Sequence, residues 1–164
     1  LAGPDYARAD RFIDRDDFLK AMTILQEHYA LVVIDCGIGL KTALMEAVLA
    51  EARALVVVTS ASIDAMEETR EAISWLRSAG YQRLLDTAVL GINYTSSDRP
   101  NVDVPRAVEQ FSREFRPERI FQLPFDRHVH EGKEITLELL SKKSRRRYLE
   151  MAAALSDLFP QTAH

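Results

Sequence analysis

Cysteine is nearly absent from this chain. Cys36 stands alone among 164 residues, so no internal disulfide can form. A reducing, cytoplasmic setting is the expectation that follows. Long apolar runs are missing as well. The longest, such as residues 54–58, fall far short of a bilayer span. Charge of one sign is not in large excess: the net charge of -4 gives no global pull toward nucleic acid or an anionic membrane. The opening "LAGPDYARAD" has neither an initiator Met nor the pattern of a secretory leader. "LAG" reads like a strand end followed by a loop, and a piece of a longer protein is expected. There is no internal repeat, low-complexity tract or clear linker. One domain-sized stretch, 1–164, is therefore expected, long enough for a sizeable core.

What is present is an alternation of strand-like and helix-like segments. The apolar fraction is 47% and the charged fraction 28%, the balance of a soluble globular protein. Asp16 to Tyr29 sets Phe18, Met22 and Leu25 at helical spacing, with acidic residues at the start. "ALVVID" (30–35) is a continuous apolar, largely β-branched run. It suits a buried parallel strand. Thr42 to Glu51 is helical, and "ALVVVT" (54–59) is a second buried strand. Ser62 opens a long helix that Gly80 ends. Asp86–Asn93 is a third strand. Val104 to Phe115 is a helix with Pro105 in its first turn. "RIFQLPF" holds a short fourth strand ending at Pro124. Glu134 to Leu140 and Ser144 to Phe159 are expected to be helical. Such alternation predicts an α/β fold with a mainly parallel sheet, whose ligands bind at the carboxyl ends of the strands.

"DCGIGLKT" (35–42) invites a reading as a phosphate-binding loop. That loop requires G-x-x-x-x-G-K-[ST]. With Lys41 and Thr42 in the last two positions, the glycine positions fall on Asp35 and Leu40. Both fail, and a carboxylate in a phosphate cradle would repel the anion. The other half of a nucleotide site fits better. Asp35 follows "LVVI" at a strand end, where a carboxylate binds Mg²⁺ directly or through water, or orients a nucleophilic water. Gly39 permits close backbone approach to a terminal phosphate. The plainer alternative is an aspartate that caps a turn.

Four strand-end motifs, taken in order, resemble the MinD/ParA-type ATPases, a deviant-Walker branch of the P-loop NTPases. "DCGIGL" is similar to that family's Asp-x-Pro-x-Gly-Leu/Ile, with Gly37 in place of the proline. "VVVTSAS" is similar to its Thr-rich turn, "GIN" to its third strand end, and "LPFDRHVHEG" to its Ile-Pro-x-Asp segment. The resemblance covers nearly the whole chain and is nearest in style to actinobacterial MinD-like ATPases, some of them accompanying type VII (ESX) secretion loci. It implies a doubly wound P-loop NTPase sheet and, in the intact parent, ATP and Mg²⁺ as ligands. Asp35 is implied as the catalytic and Mg²⁺-assisting carboxylate. Gly39 is implied at the γ-phosphate, and Asn93, Pro124 and Asp126 at adenine. It further implies ATP-driven dimerisation and a partner protein in a positioning or secretion task.

The family's glycine-rich P-loop has no match here. The resemblance therefore maps residues 1–164 onto the C-terminal part of the family domain. The sheet is expected to be incomplete, and the 164 residues alone are expected neither to bind ATP tightly nor to hydrolyse it. Exposed strand edges then favour a homodimer or a strand-exchanged oligomer. Two other readings stand beside this one. One is a degenerate, inactive ATPase-like domain that binds a partner. The other is a response-regulator-like or flavodoxin-like domain, which leaves Asn93 and Pro124–Asp126 without a role.

The remaining constellations have plainer readings. His128 and His130 would share a face of an extended segment and suggest a metal, but no third ligand is placed. Cys36 reads as a small core cysteine rather than a reactive thiol. "KKSRRRY" (142–148) would meet lipid or nucleic acid if free. A stripe of Tyr148, Met151, Ala152, Leu155 and Leu158/Phe159 instead suggests a helix packed on the sheet with its cations in solvent. Trp75 and Leu76 read as core or dimer contacts, and no G-x-S-x-G elbow surrounds Ser60 or Ser62.

Overall fold

A computed structural model describes residues 13–37, 42–97, 102–132 and 134–159 of the chain. They fall into two units, divided after Ala52.

The first unit contains α1 (Arg15–His28) and α2 (Ala43–Glu51). Asp14 caps α1, its carboxylate accepting from the Asp17 N–H at 2.8 Å. Asp16 and Asp17 sit in the first turn, where the helix dipole favours negative charge. Thr42 caps α2 by accepting from the Met45 N–H at 3.1 Å. This assigns Thr42 to helix initiation, as expected of a sequence lacking the phosphate-loop spacing. Between the helices, residues 31–36 join no strand ladder. That corrects the strand expected at 30–35. An apolar run becomes a strand only when a second backbone answers its N–H and C=O groups. Here Leu31 and Val33 are left in water, Val33 84% exposed, while Val32 and Ile34 are half-buried.

The second unit is a three-stranded parallel sheet in the order β1 (Val56–Ser60), β2 (Val89–Asn93), β3 (Ile120–Leu123). The α/β parallel architecture is therefore as expected. β2 is central, and its Val89, Leu90 and Ile92 have no exposed surface. Each such side chain contributes about 1.5–3 kcal/mol by leaving water. The register pairs Val58 with Gly91 and Gly91 with Phe121. Alternation then places Val89, Gly91, Phe121 and Leu123 on one face.

α7 (Lys142–Ser156) covers that face over β2 and β3. Tyr148, Met151, Ala154 and Leu155 pack against Val89, Phe121 and Leu123. Tyr148, Met151 and Leu155 of the expected stripe pack inward; Ala152 is exposed, and Ala154 takes the inward position. A Cβ on Gly91 would lie 3.3 Å from Leu123 Cδ1 and 3.7 Å from Met151 Sδ, so the strand stays bare where the helix crosses it.

α3 (Ile63–Ser78) runs from β1. Its cap Ser62 accepts from the Ala65 N–H at 3.4 Å. Gly80, at φ +89°, ends it in the left-handed region that glycine adopts without a Cβ penalty. Thr59 Oγ1 donates to the Ala65 carbonyl at 3.1 Å and ties strand to helix. Leu76 is core, while Trp75 is half-buried with Tyr81 at 6.2 Å. α5 (Val104–Phe111) starts at cap Asp103 with Pro105 in its first turn and stops short of Phe115. Arg70 to Gln110 (2.9 Å) links α3 to α5, and the Arg77–Glu114 ion pair links α3 to the turn that follows α5.

Two further expectations are corrected. Residues 82–87 form a short helix, α4 (Gln82–Thr87), so the third strand begins only at Val89. Residues 134–140 form turns rather than a helix.

The β1 strand is exposed in two ways. Among the described residues it is an edge strand with one neighbour. On the face that α7 covers over β2 and β3, its Val58 remains 61% exposed.

Candidate functional site

Parallel pairing brings three strand ends to one edge of the second unit. Ser60 is level with Asn93, and Asn93 with Leu123. The backbone continues the alignment: Ala61 N–H donates to the Asn93 carbonyl (3.2 Å), and Tyr94 N–H to the Leu123 carbonyl (2.9 Å). Pro124 follows Leu123, the last residue of β3. Asn93 is half-buried, and among the described residues its side-chain amide has no hydrogen-bond partner. Pro124, half-buried, follows Leu123, the residue level with Asn93, and Asp126 lies two residues on. The structure thus gathers Asn93, Pro124 and Asp126 at the carboxyl edge. The open cleft lined by Arg119, Phe121, Ala153 and Asp157 lies at the opposite, amino end of β3.

Asp126 is 7% exposed, and its hydrogen bonds are internal. Oδ1 accepts from the His128 N–H at 3.1 Å, which caps α6 (Arg127–His130). Oδ2 accepts from the Ser141 N–H at 2.9 Å. Burial alone would raise its pKa. Hydrogen bonds from the Ser144 hydroxyl and from the Ser141 and His128 amides outweigh burial and hold it at about 2. Ser144 is fully buried, and Ser141 Oγ donates to its oxygen at 2.9 Å. Burial and the Asp126 charge together raise the pKa of Tyr148. Asp126 is therefore an anionic staple between the strand end and the start of α7. Ser141 and Ser144, which complete it, were not identified from the sequence. The only signal was Ser141 three residues ahead of Ser144, a helix-cap pattern.

Asp35 belongs to the first unit and is exposed. Its Oδ1 accepts from the Gly37 N–H at 3.1 Å in an Asx turn. Gly37 has φ +57°. A proline there could neither donate that N–H nor adopt that angle. Asp35 Oδ2 has no hydrogen bond among the described residues. Gly39 and Lys41 lie outside the described residues.

The neighbouring thiol corrects an expectation. Cys36 is exposed and not a core residue. Partial desolvation and the Asp35 charge both raise its pKa, so it is not an activated thiolate. His128 and His130 lie in the helical turn of α6, where residues two apart diverge instead of sharing a face. Phe125 packs against the His130 ring at 5.5 Å. No group of three metal-ligating side chains exists among the described residues. Among them, too, no helix is long and apolar enough to cross a membrane.

No family model matches the chain, and no solved structure matches it. Two curated relatives do. Both are the ESX-1 secretion-associated protein EspI of Mycobacterium tuberculosis, from strains CDC 1551 / Oshkosh and ATCC 25618 / H37Rv. Each is 39% identical over 159 residues, which is 97% of this chain and 24% of the relative. The chain spans about a quarter of the length of those relatives, and through nearly all of its own length it is homologous to that region of an ESX-1 secretion-associated protein.

Proposed function

We propose that this chain forms part of a MinD/ParA-like, nucleotide-binding ATPase domain that serves a type VII secretion task. The observation that carries the reading is the convergence of Asn93, Pro124 and Asp126 at one carboxyl edge of a parallel sheet. An unpartnered, half-buried amide at such an edge suits the hydrogen-bonding rim of a purine. Pro124 supplies an apolar wall. Asp126 acts through the backbone by fixing where that wall stands. Asp35, exposed with one oxygen free, suits a hydrated Mg²⁺. When bound, Mg-ATP supplies the phosphoryl group and the cation that neutralises it. The phosphate-binding loop would come from sequence other than these 164 residues. The open edge and uncovered Val58 of β1 offer a place for a further strand and its helix, or for a second copy of the chain.

Calorimetry tests this in two settings. The 164-residue chain alone is expected to show no micromolar affinity for Mg-ATP. In the longer protein carrying this region, Asn93→Ala is expected to weaken ATP about tenfold. Asp35→Asn is expected to stop hydrolysis while ATP still binds. Wild-type turnover in both variants would overturn the proposal.

The Gly37 turn favours a second reading, a degenerate ATPase-like domain that binds a partner protein in the secretion machinery. It predicts that the longer protein binds no ATP, yet still loses its secretion phenotype when this region is deleted.

A further inference from the structure

We infer that α7 sets the spacing of the base-binding edge, with Ser144 as its positioning residue, so that nucleobase binding and the docking of α7 are coupled. For its ligand this inference rests on the nucleotide reading above; its geometry is that of the second unit. α7 grips both halves of the edge, each time two residues from the group it would place. On β2 the grip is at Gly91, two residues before Asn93, where a Cβ would stand 3.7 Å from Met151 Sδ. The alternation that puts Val89 and Gly91 under α7 puts Asn93 on the same face. On the other half the grip is at Asp126, two residues after Pro124. The Ser141 N–H, at the cap of α7, donates to Asp126 Oδ2 at 2.9 Å.

Ser144 completes this second grip. It is fully buried, its N–H donates to Ser141 Oγ at 3.1 Å, and its Oγ accepts from Ser141 Oγ at 2.9 Å. Its own proton goes to the Asp126 carboxylate. The hydrogen bonds thus run one way, from Ser141 to Ser144 to Asp126. Removing the Ser144 hydroxyl breaks that chain and leaves the Asp126 charge and the Ser141 N–H bond in place. A base held between Asn93 and Pro124 gains only if the two walls keep their distance. By linkage, a base bound there holds α7 down by the same factor that α7 favours the base. The phosphate side lies outside this coupling, because Asp35 belongs to the first unit.

Calorimetry on the longer protein tests this by comparing ATP with inorganic tripolyphosphate, which has the phosphates and lacks the base. Ser144→Ala is expected to weaken ATP about fivefold and to leave tripolyphosphate within about twofold. Ser141→Ala, at an exposed site, is the second variant and should show the same split. Ser141→Thr keeps a capping hydroxyl and should restore wild-type ATP affinity. Thr69→Ala removes a buried hydroxyl on α3, away from the edge, and should leave both affinities unchanged. A second measurement needs no ligand. In the 164-residue chain, Ser144→Ala should quicken amide exchange at Tyr94 and His128, on the edge, more than at Val89, where β2 begins. Equal weakening of ATP and tripolyphosphate, the same ATP loss in Thr69→Ala, or equal quickening at all three amides overturns the inference. Wild-type ATP affinity in Ser144→Ala and Ser141→Ala overturns the coupling alone. A longer protein that binds no ATP before mutation overturns the coupling together with the nucleotide reading.

Discussion

Asp35 and Asp126 are both carboxylates that follow an apolar run, and the chain treats them differently. Asp126 follows a true strand, is buried, and receives hydrogen bonds from two backbone amides and from the Ser144 hydroxyl at the start of α7. Asp35 ends a run without a ladder, is exposed, and accepts one hydrogen bond, from Gly37. A strand-end aspartate becomes structural when the surrounding chain consumes its lone pairs. It stays available for a ligand when the chain does not.

This difference can be broken by mutation. The largest effect is expected for Asp126→Ala, which leaves buried amides and hydroxyls without their acceptor. It should cost about 2–4 kcal/mol in urea unfolding. Asp35→Ala should cost about 0.5 kcal/mol or less, as exposed turn substitutions do. Equal losses would erase the distinction.

Ser144→Ala is next, at about 1–2 kcal/mol, because a fully buried hydroxyl that serves Asp126 disappears. The matching Ser141→Ala also removes the cap of α7 and should cost about 1 kcal/mol.

Acid titration sharpens the same contrast. The Asp126 pKa is depressed from 3.8 to about 2 on folding. Its contribution is therefore present above pH 3.8 and is lost as pH falls toward 2. Near the molecular surface, screening reduces this to about 1–2 kcal/mol. Unfolding free energies measured across that window should lose this slope in Asp126→Asn and keep it in Asp35→Asn.

The smallest effect is expected for Gly37→Ala. A φ of +57° costs a residue with a Cβ about 1 kcal/mol locally. Amide exchange at the Asp35–Gly37 turn should quicken while the urea midpoint moves little.

Much of this was legible because it is local. The caps Thr42 and Ser62, the stop at Gly80, and the cores of β1, β2 and β3 follow from neighbouring residues and hydrophobic period. What failed depends on distant partners. Residues 30–35 have strand composition, but a ladder needs a second backbone. Ser141 and Ser144 meet Asp126 across 15 and 18 residues, beyond any spacing motif. Residues 134–140 carry helical periodicity, yet Arg145 satisfies the Leu137 and Glu138 carbonyls from outside the loop. Asn93, Pro124 and Asp126 were grouped by the family resemblance, and they share one edge because parallel topology aligns strand ends. The internal occupation of the Asp126 carboxylate was not legible.

Gly91 has a consequence for anyone who scans this protein by saturation mutagenesis. It sits two residues before Asn93, in the strand that leads to the candidate edge. Alanine there would require Leu123 to yield by a few tenths of an ångström, and anything larger would also run into Met151. Position 91 will therefore score as intolerant for steric reasons and will form a false hot spot beside the candidate residue. A tolerance map of β2 needs a fold-only readout, such as soluble yield, alongside activity before Asn93 can be credited with chemistry.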